Sequence, residues 1–296
     1  MHNVLSREYL LLWDSTMANP NGDMLNDNRP RVDEKTGLFE VSDFRMKKYA
    51  RIEWDLTGEN VLVKLTYNEK GKVKSCTKRV EDIKNENKLQ TDEEVIRFIL
   101  ENYIDARLFG CVITNPKRNF TGPLQITWTR SVNQGTIEFK QGTGAYASGE
   151  GKDNATIWSS YSCPYALFKT YMVFNKNTAI KNGGFVSEED IQKFIDGLLD
   201  GMRNYRSTSK NQMPRLLIEV VYTNNKLDGE LDCIDVIKEV EDTHLRNISQ
   251  VTVDLTKLNN YYAAKKDSIK EVNLYVHSTV KLQHLDKSLN FNIHSI

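Results

Sequence analysis

The apolar run Tyr9-Leu10-Leu11-Leu12-Trp13 is hydrophobic at every position, with no polar residue on either alternating set. Such a run predicts a strand over residues 7–13 that is buried on both faces, in the middle of a sheet. Residues 165–174 alternate instead. Leu167, Lys169, Tyr171 and Val173 share one face, and Ala166, Phe168, Met172 and Phe174 share the other. Further strands are predicted over residues 61–67, 124–129, 216–223, 251–255 and 272–282.

Three helices announce themselves by their caps. Ser42 opens one, with Asp43 in its first turn; Met46, Tyr49, Ala50 and Trp54 fall on one side. Thr91 and Glu94 form a capping box, and Val95, Ile96, Ile99, Leu100, Tyr103 and Ile104 carry that helix to about residue 107. Ser187 opens the clearest. Its stripe of Ile191, Phe194, Ile195, Leu198, Leu199 and Met202 reads as core, without chemistry. Residues 261–266 are compatible with a short helix. The highly charged residues 77–90 read as an exposed connection, and the polar tail after Asp286 as loosely ordered. Residues 141–156, rich in Gly, Ser and Asn, predict a long mobile loop. Residues 225–270, acidic from Asp228 to Glu241, predict a peripheral insertion on a single domain spanning residues 1–296. Helices and strands intermixed without a regular repeat indicate an α+β fold with a mostly antiparallel sheet.

Two polar stretches interrupt this pattern. Residues 18–32, which include Asn19-Pro20-Asn21-Gly22-Asp23 and Arg29-Pro30-Arg31, follow the first strand. Turn-forming dipeptides there predict a sharp, exposed loop that presents amide and guanidinium donors, suited to phosphates and base edges. A plain surface loop accounts for the same residues. The second stretch holds Arg203, Arg206, Lys210 and Arg215 among Ser207, Thr208, Ser209, Asn211 and Gln212, with no acid between Asp200 and Glu219. Cations, hydroxyls and amides together suit a phosphate-tracking surface. Lys47, Lys48 and Arg51 form a third basic group, for which an ordinary solvated helix face is the competing reading. Lys117 and Arg118 sit in a basic turn, and Arg107 ends a helix, where it could simply serve the dipole.

Three ordered segments resemble one family. They are Asn19-Pro20-Asn21-Gly22-Asp23 with Asn28-Arg29-Pro30-Arg31-Val32-Asp33; Asp105-Ala106-Arg107-Leu108-Phe109-Gly110; and Gly201-Met202-Arg203-Asn204-Tyr205-Arg206-Ser207-Thr208-Ser209-Lys210. The family is the crRNA-binding backbone subunit of type I CRISPR Cascade complexes (the Cas seven family), most closely its type I-B branch. The resemblance implies an RRM-like, ferredoxin-like core with large insertions forming a thumb and fingers. It also implies a non-catalytic protein that polymerises along a CRISPR RNA and presents it for pairing with a target DNA strand, beside other Cascade subunits. No RNP1 consensus is present, so loops and insertions are better candidates for RNA contact than the sheet face. The residues singled out for nucleic acid are Asn19, Asn21, Arg29, Arg31, Lys47, Lys48, Arg51, Arg107, Lys117, Arg118, Arg203, Arg206, Ser207, Lys210 and Gln212. In such a subunit the 141–156 loop would be a finger or web against nucleic acid or a neighbour.

Bulk properties narrow the picture. Of 296 residues, 40 are Lys or Arg and 40 are Asp or Glu, so the net charge is zero. That argues against a nonspecific polyanion binder, though local clusters on a neutral chain suit a subunit that also packs against its own copies. Four cysteines at unpaired spacings rule out a zinc-ribbon pattern, and five histidines make no metal-ligand spacing. No cofactor is expected. Gly142-Thr-Gly144-Ala-Tyr-Ala147 fits a relaxed dinucleotide fingerprint, but no helix is predicted after it. The start Met1-His2-Asn3-Val4 lacks the form of a signal peptide, and no run approaches the ~20 apolar residues of a membrane span. A reduced, cytoplasmic setting without membrane contact is expected. Two other readings remain: a metal-independent endoribonuclease of similar fold that uses His277, and a single-strand RNA binder acting as a monomer.

Overall fold

The computed structural model describes residues 4–147, 149 and 155–296. β1 (Arg7–Ala18) leads through the short strands β2 (Gly22–Asp23), β3 (Arg29–Pro30) and β4 (Val32–Asp33) to β5 (Leu38–Val41) and helix α1 (Asp43–Leu56). Helices α2 (Cys76–Glu86), α3 (Asp92–Asn102) and α4 (Ile104–Phe109) follow. Hairpin β6 (Gly110–Thr114)–β7 (Lys117–Thr121) comes next, then β8 (Leu124–Ile126) and β9 (Thr129–Gln134). β10 (Glu138–Ala147) pairs with β11 (Ala155–Phe174), and α5 (Lys176–Lys181), α6 (Glu188–Asn204) and β12 (Gln212–Tyr222) complete the central part. The remainder is β13 (Asp235–Lys238), β14 (Val251–Asp254), α7 (Thr256–Ala264), β15 (Ile269–Val276), β16 (Lys281–Gln283) and β17 (Phe291–Ser295).

The main sheet runs β17-β15-β12-β1-β11-β9-β5-β4, with β8 and β10 also paired to β11. It is a large mixed sheet, antiparallel except where β17 runs parallel to β15. β1 lies in the middle, between β11 and β12. Its odd positions, including Leu11 and Trp13, face a core shared with Phe168, Met172 and Phe174 of β11 and with α1 and α6. Leu10 and Leu12 face a second core with Tyr165, Leu167, Leu216 and Ile218, closed by Leu231, Ile234, Val253, Leu258 and Tyr262. With both faces covered, every position of the run gains from being apolar. The two faces expected for residues 165–174 separate into these two cores in the same way. Part of the 225–270 segment therefore covers one face of the sheet.

All three expected caps are present. Ser42 accepts from Arg45 N, and Thr91 and Ser187 each close a reciprocal capping box. The six stripe residues of α6 are buried.

Several elements differ from expectation. Residues 61–67 hold no strand; Val61 and Leu62 are buried there as loop residues. Most of residues 77–90, expected as an exposed connection, lies in α2, because Ser75 caps it and Val80 and Ile83 suffice to bury one face. The helix ending near 107 is two helices, since Tyr103 takes an extended conformation between α3 and α4. The segment 272–282 divides into β15 and β16. The polar tail forms β17, held by main-chain pairing that side-chain polarity does not report. Of the loop placed at 141–156, residues 141–147 belong to β10 and 155–156 to β11. Residues 148 and 150–154 lie outside the described residues.

Candidate nucleic-acid interface

The 203–212 stretch lies against the end of β1. Thr16 N donates to Asn211 O at 3.1 Å, and Asn19 N donates to Ser209 O at 2.9 Å. Two polar stretches almost two hundred residues apart thus share one surface, with the first turns of α1 beside them through Tyr49 Oη, which donates to Gln212 Oε1 at 2.8 Å.

Within this junction the predicted donors divide into two groups. The first group is engaged with partners of the chain itself. Asn19 is buried, and its Nδ2 donates to Asn28 O at 2.6 Å. Asn21 Oδ1 accepts from Ser42 N (2.8 Å) and Ser42 Oγ (2.9 Å), which ties the loop to the start of α1. Gln212 is fully buried between Tyr49 and Ser15. Lys47 is buried against Asp43 at 2.9 Å. Arg51 Nε donates at 2.9 Å to Asp105, a carboxylate with no exposed surface that also accepts from Leu62 N and Val63 N. Arg107 donates to Asp190 at 2.7 Å and to Glu101 O at 3.0 Å. Arg31 pairs with Asp23 at 3.2 Å, and Arg203 with Asp200 at 2.8 Å. The exposed basic face expected of Lys47, Lys48 and Arg51 is therefore corrected to Lys48 alone, because Lys47 meets Asp43 one turn earlier on the same helix and Arg51 meets Asp105, brought in by folding. Asn19, Asn21, Gln212 and Arg107 are likewise structural ties rather than free donors.

The second group makes no ion pair among the described residues. Lys48, Arg206 and Ser207 are exposed. Arg206 is steadied by Arg203 O and Asn211 Oδ1 at 3.0 and 2.9 Å. Arg29 lies over the Tyr161 ring, 4.6 Å from its centroid, and its Nη2 donates to the hydroxyl at 3.2 Å. Lys210 is half-buried and donates to Asn19 O. Burial, and then the nearby charges of Arg45 and Lys48, lower its pKa to about 7. Lys117 and Arg118 are exposed on β7, on a separate small unit whose core joins α2, α3 and β6.

Arg45 escaped the sequence reading. It stands on the apolar side of α1, four residues before Tyr49, and its guanidinium lies 4.3 Å from that ring and 5.2 Å from Tyr205. An Arg-x-x-x-Tyr spacing on a capped helix was the available signal. Beyond the junction, β10 and β11 extend as a ribbon with Phe139, Tyr146, Ile157 and Trp158 exposed. His277 Nδ1 is engaged with Thr279 Oγ1 at 2.9 Å. Among the described residues no three His, Cys, Asp or Glu side chains cluster as a metal site, and no helix is long and apolar enough to cross a membrane.

A family model described as CRISPR-associated protein Cas7 matches residues 6–256. A curated protein of that description from Haloferax volcanii is 24% identical over 311 aligned residues, covering 95% of this chain and 90% of the relative. Two solved structures share the fold. A chain of a CRISPR RNA-guided surveillance complex, pre-nicking, superposes with a TM-score of 0.55 at 13% identity, covering 98% of this chain and 96% of the other. A chain of a CRISPR RNA-guided surveillance complex gives 0.50 at 14% identity, covering 96% and 91%. The family model spans β1 to β14, with α1, α6 and every segment of the junction, so the chain belongs to the Cas7 family of CRISPR-associated proteins.

Proposed function

We propose that this protein is a non-catalytic backbone subunit of a type I Cascade, of the type I-B branch, which grips a CRISPR RNA by its sugar–phosphate chain. The carrying observation is the junction itself: Lys48, Arg206, Lys210, Arg45 and Arg29 gather around the end of β1 with no ion-pair partner among the described residues, while neighbouring cations of the same segments are paired. Unpaired cations with amides and hydroxyls hold a phosphate chain without reading sequence, which leaves recognition of a target DNA strand to base pairing. β1, β11 and β12 with α1 and α6 on one face supply the RRM-like core of this reading. The exposed aromatic ribbon of β10 and β11 suits contact with bases or with the next copy. Copies joined head to tail would form an open helical filament along the RNA, in the cytoplasm and beside other Cascade subunits.

The test is the double variant Lys48→Glu/Arg206→Glu. Both side chains are exposed, so the unfolding temperature should stay within about 2 °C of wild type while copurified RNA falls at least tenfold. RNA retained at the wild-type level by the folded variant refutes this placement of the grip.

A further inference from the structure

Of the residues expected to meet nucleic acid, Lys117 and Arg118 stand apart from the junction, on β7 of the small unit whose core joins α2, α3 and β6. Arg118 borders a groove of about 410 Å³ between this unit and the turn that joins α5 to α6. One wall is a face of α3, where Glu93, Ile96, Arg97 and Leu100 recur at helical spacing. The other walls are Arg118 and Phe120 of β7, and Lys181, Asn182 and Phe185 at the turn. Two features hold these walls in place. Asn182 Nδ2 donates to Thr121 O at 2.8 Å and fastens the turn to the end of β7. Gly183, at φ 102°, leaves room for the Phe185 ring, which a Cβ there would meet at 2.4 Å.

The lining separates by chemistry. Ile96, Leu100, Phe120 and Phe185 are buried or half-buried and make an apolar floor. The charged residues are exposed around it. Arg97 is paired with Glu101 at 2.8 Å, whereas Arg118, Lys181 and Glu93 make no ion pair among the described residues. The unpaired part of the rim therefore carries two cations and one acid. We propose that this groove is a docking site for an acidic segment of a partner protein, which inserts one large apolar side chain between flanking carboxylates. The apolar side chain removes the floor from water and anchors the segment. The carboxylates meet Arg118 and Lys181 at the rim, where charge selects the partner. A sugar–phosphate chain fits this lining poorly. It would leave four apolar side chains wet, it would meet Glu93, and the one amide of the lining already donates to Thr121 O. The inference goes beyond the RNA reading and gives Arg118 a protein partner instead.

The experiment uses the full chain and a fluorescent peptide, Glu-Asp-Phe-Asp-Glu, followed by anisotropy at low salt. Binding should saturate below about 1 mM. Serine in place of the peptide's phenylalanine should weaken it about tenfold, and Lys-Lys-Phe-Lys-Lys should not bind. Arg118→Glu/Lys181→Glu changes two exposed side chains, so the unfolding temperature should stay within about 2 °C of wild type. That variant should bind the acidic peptide about tenfold more weakly. No saturable binding below about 1 mM, equal binding of the lysine peptide, or wild-type affinity in the folded double variant overturns the proposal. So does loss of copurified RNA from that variant with peptide binding unchanged, which assigns the groove to nucleic acid. Lys48 and Arg206 are untouched throughout, so the RNA grip stands or falls on its own test.

Discussion

At the scale of single residues, a cation's role here is decided by whether folding brings it an acid. Arg51 and Lys48 lie three residues apart on α1, yet one is locked to buried Asp105 and the other is exposed. Asp105 also accepts from Leu62 N and Val63 N at 2.7 and 3.0 Å, so it organises the chain where a strand was expected. Arg51→Ala leaves that carboxylate buried with its strongest partner gone. It should cost about 3 kcal/mol of stability, measured by urea unfolding, while RNA affinity of the folded protein stays near wild type. The opposite pattern, full stability with lost RNA affinity, would return Arg51 to the interface.

Among elements, the placement of α1 matters most, because it carries Arg45 and Lys48 and packs directly on α6. The two helices approach closely at glycines. A Cβ on Gly201 would sit 2.2 Å from Tyr49 O, and one on Gly197 would sit 2.5 Å from Trp54 Nε1. Gly201→Ala must push α1 away from α6, and overpacking of this kind costs about 1–3 kcal/mol. Because Tyr49 supports Arg45 and bonds Gln212, the same variant should also weaken RNA binding, unlike Arg51→Ala. Denaturation and RNA titration of the two variants side by side separate the cases. An unchanged affinity in Gly201→Ala would show that the junction tolerates movement of α1. The capping boxes, the α6 stripe and the two faces of β11 were legible beforehand, since each is written within a dozen residues. α2 was not, because only Val80 and Ile83 of it are buried, in a segment whose charge reads as solvated.

For the whole molecule, neutrality is consistent with a local grip. Acids and bases balance over 296 residues, and pairing removes many of both from the surface, so the unpaired cations around β1 set the local field. The proposed head-to-tail assembly predicts that the protein alone is small in solution. Its mass, measured by light scattering, should rise in steps as RNA is lengthened. A mass that never exceeds one subunit per RNA favours the monomeric binder. Site-specific cleavage of a repeat RNA without metal, lost in His277→Ala, favours the nuclease.

The order of apolar and polar residues was enough by itself to determine the double burial of β1 and the capped helices, and three short motif segments carried the resemblance to the family. The loop after β1, the basic helix and the run after α6 were also visible as polar stretches. Only the tertiary structure decided which of their side chains are free. Arg51 finds Asp105 and Arg107 finds Asp190 across long stretches of chain, while Arg45 finds two tyrosine rings and Lys210 a carbonyl oxygen, with no ion pair to either among the described residues. Ion pairing depends on distance in space and on the water excluded around it, and neither is set by separation along the chain.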